Sequence, residues 1–228
     1  VLYYKTALDA EERLFLDPNT LSDDGTVALS DVSFSKDGRY AAFAISTSGS
    51  DWRDIFVMDV ETGERLKDSI SWAKFTNIAW FGDGFFYSRY DAPKKGEEFT
   101  AKNEYQKIFY HKLGDSQDQD ALVFVDLDNP SRNCVAEVDD DEKWLFIYQN
   151  ESTYGQRVIF TELNDSVNLK ELEFNTLFPD FSAESGIVAV HDGLQYLPGV
   201  GGGEQQLVVL ALAVEFPEGV EQAGVVHG

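Results

Sequence analysis

Residues 32–45 read VSFSKDGRYAAFAI, two apolar runs separated by the polar turn KDGR at residues 36–39. Asp-Gly between apolar runs is a strong hairpin signal, because glycine adopts the positive φ of a tight turn without steric cost. We therefore predict two antiparallel strands joined by this turn. Three later segments repeat the pattern around turns at residues 82–84, 140–143 and 183–186.

A second strand pair recurs between these hairpins and sets the period of a repeat. Its copies begin at Leu2, Ile55, Ile108, Val158 and Val208, so successive starts are 53, 53, 50 and 50 residues apart. Each period therefore holds four short strands in up-and-down order. Four strands in about 40–50 residues are typical of one blade of a β-propeller.

The repeat predicts an all-β chain that forms a single β-propeller unit over residues 1–228, built from four-stranded antiparallel blades. With 43% hydrophobic and 14% aromatic residues, the chain has enough apolar material for a core, which excludes a disordered acidic tail. We expect about four and a half blades. The predicted boundaries are a half blade at 1–17 and blades at 30–72, 76–127, 134–174 and 179–228.

The charge balance limits the classes of partner. The chain has 41 acidic and 18 basic residues, a formal net charge of −23. Because nucleic acids and anionic membranes attract basic surfaces, we expect neither as a partner. The simplest interpretation of the acidity is a solvated rim of turns and loops.

Cysteine content and targeting signals limit the fold and the compartment further. Cys134 is the single cysteine, which excludes an intrachain disulfide and a thiolate-rich metal site. No apolar run reaches the roughly 20 residues of a membrane-spanning helix. No signal-peptide pattern precedes the first strands, so we expect a soluble cytoplasmic or periplasmic protein.

No motif predicts a cofactor or a metal ion. Residues 139–142 (DDDE) resemble a cation cluster, but they coincide with a turn of the repeat, where a solvated hairpin is expected. The glycine-rich residues 199–203 (GVGGG) are followed by Glu204-Gln205 rather than the Lys-Ser/Thr of a phosphate-binding loop. Both segments are therefore interpreted as ordinary turns or loops.

The first two full blades contain a distinctive series of sequence segments. In order, the chain contains the segments DPN (17–19), LSDDGTVAL (21–29), SKDGRY (35–40), SGSDW (48–52), KF (74–75), AW (79–80), GFFYSRY (84–90) and QKIFYHKLG (106–114). This series resembles the propeller of the prolyl oligopeptidase family of serine peptidases over about residues 1–165. From residue 166 onward the spacing of the predicted strands continues, but the sequence matches the family only loosely.

The resemblance implies a two-part enzyme in which a seven-bladed propeller covers an α/β-hydrolase domain with the catalytic Ser, Asp and His. Compared with the seven-bladed family propeller, a chain of four and a half blades is a partial or engineered propeller. The G-x-S-x-G signature of a hydrolase nucleophile is absent from this sequence. His111 fits a strand pattern, His191 a loop or hairpin, and His227 the C-terminus. We therefore expect no catalytic residue, and no activity, in this chain alone.

The resemblance also implies two latent substrate-binding residues. Asp51 matches the family aspartate that pairs with a substrate-contacting arginine of the hydrolase domain, and Phe75 matches an aromatic residue that lines a pocket upstream of the cleaved proline. Carboxylates orient guanidinium groups, and aromatic faces bury apolar side chains. Purely structural roles remain open: Asp51 as the cap of a tight turn, and Phe75 as a core ring between blades.

Three functions are compatible with these observations. The first is the substrate-gating propeller of a peptidase that cleaves short peptides after proline, with the missing α/β-hydrolase domain as its partner. The second is a stand-alone or engineered propeller scaffold for protein binding or self-assembly, in which another propeller chain is the partner. The third is a small propeller hydrolase with carboxylate chemistry of its own.

Overall fold

The computed structural model is all-β. It describes residues 1–5, 9–21, 25–94, 96, 102–152, 154–164, 168–178, 189–191, 194–198 and 207–211. Its strands form successive antiparallel groups, which confirms the all-β fold class. Within these described ranges, two short 3-10 helices lie at Pro18–Thr20 and Gln117–Gln119.

We name the groups in chain order. The N-terminal hairpin consists of β1 (Leu2–Tyr4) and β2 (Arg13–Leu16). The first blade consists of β3 (Val27–Phe34), β4 (Tyr40–Thr47), β5 (Arg53–Asp59) and β6 (Arg65–Ala73). The second blade consists of β7 (Ala79–Phe81), β8 (Gly84–Arg89), β9 (Lys107–Lys112) and β10 (Ala121–Val125). The third blade consists of β11 (Asn133–Val138), β12 (Trp144–Glu151), β13 (Tyr154–Glu162) and β14 (Asn175–Phe178), and the C-terminal sheet of β15 (Ala189–His191), β16 (Leu194–Pro198) and β17 (Leu207–Ala211).

The C-terminal sheet differs in detail from the repeat pattern. β16 pairs with both β15 and β17, with Leu194 opposite Ala211, yet the repeat predicts no strand over residues 194–198. Leucine and tyrosine there favour a strand, and Asp192-Gly193 directly before it is a hairpin signal, but this Asp-Gly falls outside the turns that define the repeat. Residues 179–188 and 212–228 lie outside the described residues, so the boundaries of a last blade stay a prediction.

Central strands of the blades are apolar on both faces because each face packs on a different neighbour. In β4, Ala42 and Ala44 belong to a cluster with the second blade, whereas Phe43 and Ile45 belong to a cluster with Leu16 of the N-terminal hairpin. This explains why the run YAAFAI does not alternate between apolar and polar residues. A continuous apolar run is typical of a strand buried on both sides.

The interfaces between blades form the core. Phe85 and Tyr87 of β8 face the first blade and contact a cluster that includes Ile55 and Ile70, while Phe86 faces the third blade. Phe85, Phe86 and Tyr87 are all fully buried. Because burying one large apolar side chain stabilises a fold by about 1.5–3 kcal/mol, these three rings hold the three blades together. By contrast, among the residues that the structure describes, a single strand bridge, Ala73 opposite Arg89, links the backbones of the first two blades.

A buried ion cluster also spans the interface between the first and second blades. His111 lies in β9, as predicted for a strand residue; its Nδ1 is 2.7 Å from Asp120 Oδ1 and its Nε2 is 3.0 Å from Asp68 Oδ1 of β6. The Tyr87 hydroxyl donates to Asp120 Oδ2 at 2.6 Å, and the Gly114 amide donates to Asp68 Oδ1 at 2.6 Å. The imidazole and both carboxylates are almost completely shielded from solvent.

This geometry favours the doubly protonated ring. An ionised carboxylate only accepts hydrogen bonds, so each ring nitrogen must donate to the oxygen it faces. Burial alone lowers the pKa of His111, but the hydrogen bonds and negative charges of Asp120 and Asp68 outweigh it, and the net pKa is raised above 6.5. The cluster is therefore an imidazolium held between two carboxylates of neighbouring blades.

We expect His111→Gln to lower the free energy of unfolding at pH 6 by about 3 kcal/mol, since removing one partner leaves buried charges uncompensated. The raised pKa of His111 in the folded state also fixes the direction of the pH dependence. The stabilisation from the protonated ring is complete below the unfolded-state pKa of about 6.5, and it is lost as pH rises through the folded-state pKa. Urea denaturation between pH 6 and 9 measures both effects.

Asp140→Asn, a change at an exposed carboxylate, is the control and should leave the pH dependence intact. If the wild-type chain and His111→Gln had parallel stability profiles over this range, the imidazolium assignment would be wrong.

Cys134 belongs to the core between the second and third blades and is fully buried. Burial raises the pKa of its thiol to about 12. Because the thiolate is the reactive form, we expect a disulfide reagent to modify Cys134 at pH 8 only as fast as the chain unfolds. Reaction rates with and without urea test this, and rapid labelling of the native chain would show that the thiol is accessible.

Candidate functional site

Connections from three strand pairs lie at one end of the first two blades. They are residues 48–52 between β4 and β5, residues 74–78 between β6 and β7, and the described residues 90–94, 96 and 102–106 between β8 and β9. We call this the Asp51 end, since it contains Asp51 in the first connection and Phe75 in the second. Up-and-down strand order brings both residues to the same end, although 24 positions separate them in the sequence.

Lys74 connects the two predicted residues. Its Nζ lies 3.5 Å from Asp51 Oδ2, 5.0 Å from the centre of the Trp52 ring and 5.2 Å from the centre of the Phe75 ring. The Lys74 side chain is 11% exposed, whereas that of Asp51 is 68% exposed. The ammonium is therefore a shielded cation close to two aromatic rings, and it pairs with a carboxylate that is largely open to solvent.

Contacts between aromatic rings hold Trp52, the neighbour of Lys74, in place. Trp52 meets Trp72 and Tyr90 edge to face, with ring centres 5.5 and 6.2 Å apart. The Tyr90 hydroxyl donates to Asn133 Oδ1 of β11 at 2.8 Å, and burial raises the pKa of Tyr90 to about 12. Tyr90 therefore remains a neutral donor at physiological pH and links the group to the third blade.

The backbone around Asp51 and Phe75 shows the local contacts that bear on the structural roles left open for them. In the 48–52 turn, the Trp52 amide donates to the Ser50 hydroxyl at 3.1 Å, which is the type of capping contact considered for Asp51. Phe75 has φ +51°, in the left-handed region, and the residue is 42% exposed. The ring therefore lies at the surface rather than within the inter-blade core.

A groove runs along the first strands of three blades. β3, β7 and β11 line a groove of about 370 Å³. The Trp80 indole donates to the Ser33 carbonyl at 3.1 Å, which joins β7 to β3, and the Asn77 amide lies 3.5 Å from Glu137 Oε1 on β11. The first strands of successive blades thus share one wall, the arrangement expected around a propeller axis.

Comparison with known proteins identifies this arrangement. Residues 1–212 match the family described as prolyl oligopeptidase, N-terminal beta-propeller domain. The chain belongs to this family. It is 38% identical to a prolyl endopeptidase from Elizabethkingia meningoseptica over 192 residues, which cover 78% of this chain and 27% of that protein.

Solved structures agree with the sequence match. A chain from a structural study of two prolyl endopeptidases superposes with a TM-score of 0.74 at 29% identity, covering 91% of this chain and 29% of that one. Prolyl oligopeptidase B from Galerina marginata, bound to a 35-residue hydrolysis and macrocyclization substrate, gives a TM-score of 0.71 at 28% identity, covering 82% and 27%. The predicted propeller fold and the resemblance are confirmed. The chain spans about a quarter to a third of the length of these relatives.

The remaining candidates from the sequence are the acidic segment 139–142 and the histidines His191 and His227. Asp139 Oδ1 accepts from the amides of Lys143 and Trp144 at 2.7 and 2.8 Å, so this acid of the 139–142 segment caps its hairpin turn. Within the described part of the chain, no group of three or more His, Cys, Asp or Glu side chains is arranged to hold a metal ion. The same residues contain no helix long and apolar enough to cross a membrane. His191 ends β15, and His227 lies outside the described residues.

Sequence reasoning overlooked Lys74, although it directly precedes Phe75. A lysine in an acidic chain is usually interpreted as a solvated surface charge, and only the fold shows that it is shielded by two rings. Gln106 was overlooked as well: it precedes β9, is 1% exposed and contacts the backbone beside Phe75. The 17-residue length of the 90–106 connection is the one available signal, because long connections often carry binding residues.

We expect Lys74→Met to lower the free energy of unfolding by about 1–2 kcal/mol, because the ammonium is desolvated against two rings. Asp51→Asn should cost less than about 0.5 kcal/mol, since solvent screens this exposed carboxylate. Urea unfolding followed by tryptophan fluorescence measures both, because Trp52 lies beside the substituted group. A larger loss for Asp51→Asn than for Lys74→Met would contradict the central role of the lysine.

Proposed function

We propose that this chain is the substrate-gating propeller of a serine peptidase that cleaves short peptides after proline. In this proposal, catalysis takes place in an α/β-hydrolase domain of the same enzyme, and the propeller restricts access to it. The family membership and the roughly one-quarter coverage of the prolyl endopeptidase from Elizabethkingia meningoseptica support this division.

The observation that carries the proposal is the joint exposure of Asp51 and Phe75 beside Lys74 at one end of the blades. Asp51 presents a largely exposed carboxylate, which is suited to a bidentate contact with an arginine of a docked domain. Phe75 presents an aromatic ring to the same side, which is suited to an apolar side chain of a peptide. The Asp51 end is therefore the proposed face toward the catalytic domain and its substrate.

Shielded Lys74 limits what the face accepts. Its charge is satisfied by Asp51 and the two rings, so the surface beside Phe75 offers apolar contact next to the accessible Asp51 carboxylate. A short peptide with an apolar residue upstream of proline fits this combination. A strongly acidic peptide does not, because it would meet Asp51 and a chain of net charge −23.

The test uses the complete reading frame that contains this chain. We expect its product to hydrolyse a chromogenic peptide with phenylalanine two residues upstream of the cleaved proline, and serine-reactive inhibitors to abolish the activity. Phe75→Ala should raise KM by about tenfold with little change in kcat, because a lost apolar pocket contact is worth about 1–3 kcal/mol.

Tyr3→Ala is the matched control, since Tyr3 is also an exposed aromatic residue but lies on the N-terminal hairpin. Asp51→Asn should lower kcat/KM, whereas Asp140→Asn should not. Absence of post-proline cleavage, or equal kinetic effects of Phe75→Ala and Tyr3→Ala, would overturn the proposed function.

A further inference from the structure

The segment that carries Phe75 is held in place by side chains from other strands. Gln106, almost fully buried, donates from Nε2 to the Lys74 carbonyl at 2.6 Å and to the Phe75 carbonyl at 3.3 Å. Its Oε1 accepts from the backbone amide of Cys134 in β11 at 2.6 Å. One amide group thus ties the connection after the first blade to the first strand of the third.

Thr76 is fixed independently on the other side of Phe75. Its carbonyl accepts from Arg53 Nη1 at 3.2 Å, and its hydroxyl accepts from the Ser88 amide at 2.7 Å. Gln106 and Thr76 therefore hold the backbone immediately before and after the Phe75 side chain. The segment is fixed by its neighbours rather than by strand pairing of its own.

Such support is required by the local conformation. Phe75 has φ +51°, and for a residue with a Cβ atom the left-handed region is less favourable by roughly 1–2 kcal/mol. Residues in this region persist where surrounding contacts determine them, and they cluster at ligand-binding positions. In an extended backbone the Phe75 ring would point in a different direction.

We propose that Gln106 is a positioning residue that orients the Phe75 ring for the upstream apolar side chain of the substrate. This inference rests on the proposed function and extends it to a residue that need not touch substrate. The role requires both halves of the amide: two carbonyls need a donor, and the Cys134 amide needs an acceptor. Among the natural side chains of this length, glutamine supplies both without a charge.

The decisive variant is Gln106→Glu, which keeps the shape and the acceptor for Cys134 but places carboxylate oxygens against the Lys74 and Phe75 carbonyls. Gln117→Glu is the matched control. Gln117 makes the same kind of contact, with Nε2 donating to the Ser71 carbonyl at 2.9 Å and Oε1 accepting from the Ser71 amide at 3.0 Å. It therefore reports the general cost of this substitution without acting on Phe75.

The kinetic measurement uses the complete enzyme and two substrate peptides. The peptides differ at one position, two residues upstream of the cleaved proline, which is phenylalanine in one peptide and glycine in the other. We expect Gln106→Glu to reduce the ratio of their kcat/KM values by about tenfold, through KM of the phenylalanine peptide. Phe75→Ala should reduce the ratio equally, and the double variant should add nothing further, because both changes remove one contact. Gln117→Glu should leave the ratio unchanged.

A structural measurement on the 228-residue chain separates this inference from the proposed function. A residue with positive φ has a short distance between its amide and Hα protons and hence a strong intraresidue NOE. We expect this signal for Phe75 in the wild-type chain and in Gln117→Glu, and its loss in Gln106→Glu. If the enzyme does not discriminate the peptides while Gln106→Glu removes the NOE, the proposed function fails but Gln106 still positions Phe75.

Two outcomes would overturn the inference. One is an unchanged Phe75 NOE in Gln106→Glu. The other is an equal loss of kcat/KM for both peptides with the ratio preserved, which is what a purely structural role in the second and third blades predicts.

Discussion

The packing of the first two blades depends on a charge that has no access to water. The His111 imidazolium lies between Asp68 of the first blade and Asp120 beside β10, and each ring nitrogen faces one carboxylate. Apolar contacts such as those of Phe85 and Ile70 supply most of the attraction between the blades, but they tolerate small shifts. The ion cluster does not, because any slip leaves a buried charge without its partner. It therefore specifies the angle and register at which the two blades meet.

That register determines the geometry of the Asp51 end. The first two blades share one backbone bridge, Ala73 opposite Arg89, and the chain leaves β6 at this point for the segment that carries Lys74 and Phe75. The partners of this segment belong to the second and third blades, namely Ser88, Gln106 and, through it, Cys134. The ring of Phe75 is thus oriented by the relative placement of three blades, rather than by the local sequence alone.

This dependence explains which features the sequence predicts. The turn at residues 36–39 and the 50–53-residue period arise from local preferences, and they predict the strands of the first two blades and the first three strands of the third. The fourth strand of the third blade, β14, lies at Asn175–Phe178, beyond the predicted blade boundary at residue 174. The proximity of Asp51 and Phe75 follows from up-and-down order and the family resemblance. The contacts of Lys74, Gln106 and His111 do not follow, because their partners lie up to 43 positions away and depend on blade packing. β16 was missed for a different reason: its residues 194–198 interrupt the repeat.

The acidity of the chain also has a structural component. Carboxylates at the turns cap backbone amides: Asp37 accepts from Arg39, Asp59 from Glu61 and Thr62, and Asp139 from Lys143 and Trp144. Short polar side chains that bond to nearby amides favour turns, so a protein built of many hairpins accumulates aspartates at these positions. Asp51 differs because the hydroxyl of Ser50 caps its turn, which leaves the Asp51 carboxylate directed to Lys74. The Asp51 carboxylate therefore forms an ion pair with Lys74 in place of a turn cap, and this separates it from the aspartates that cap the turns of the hairpins.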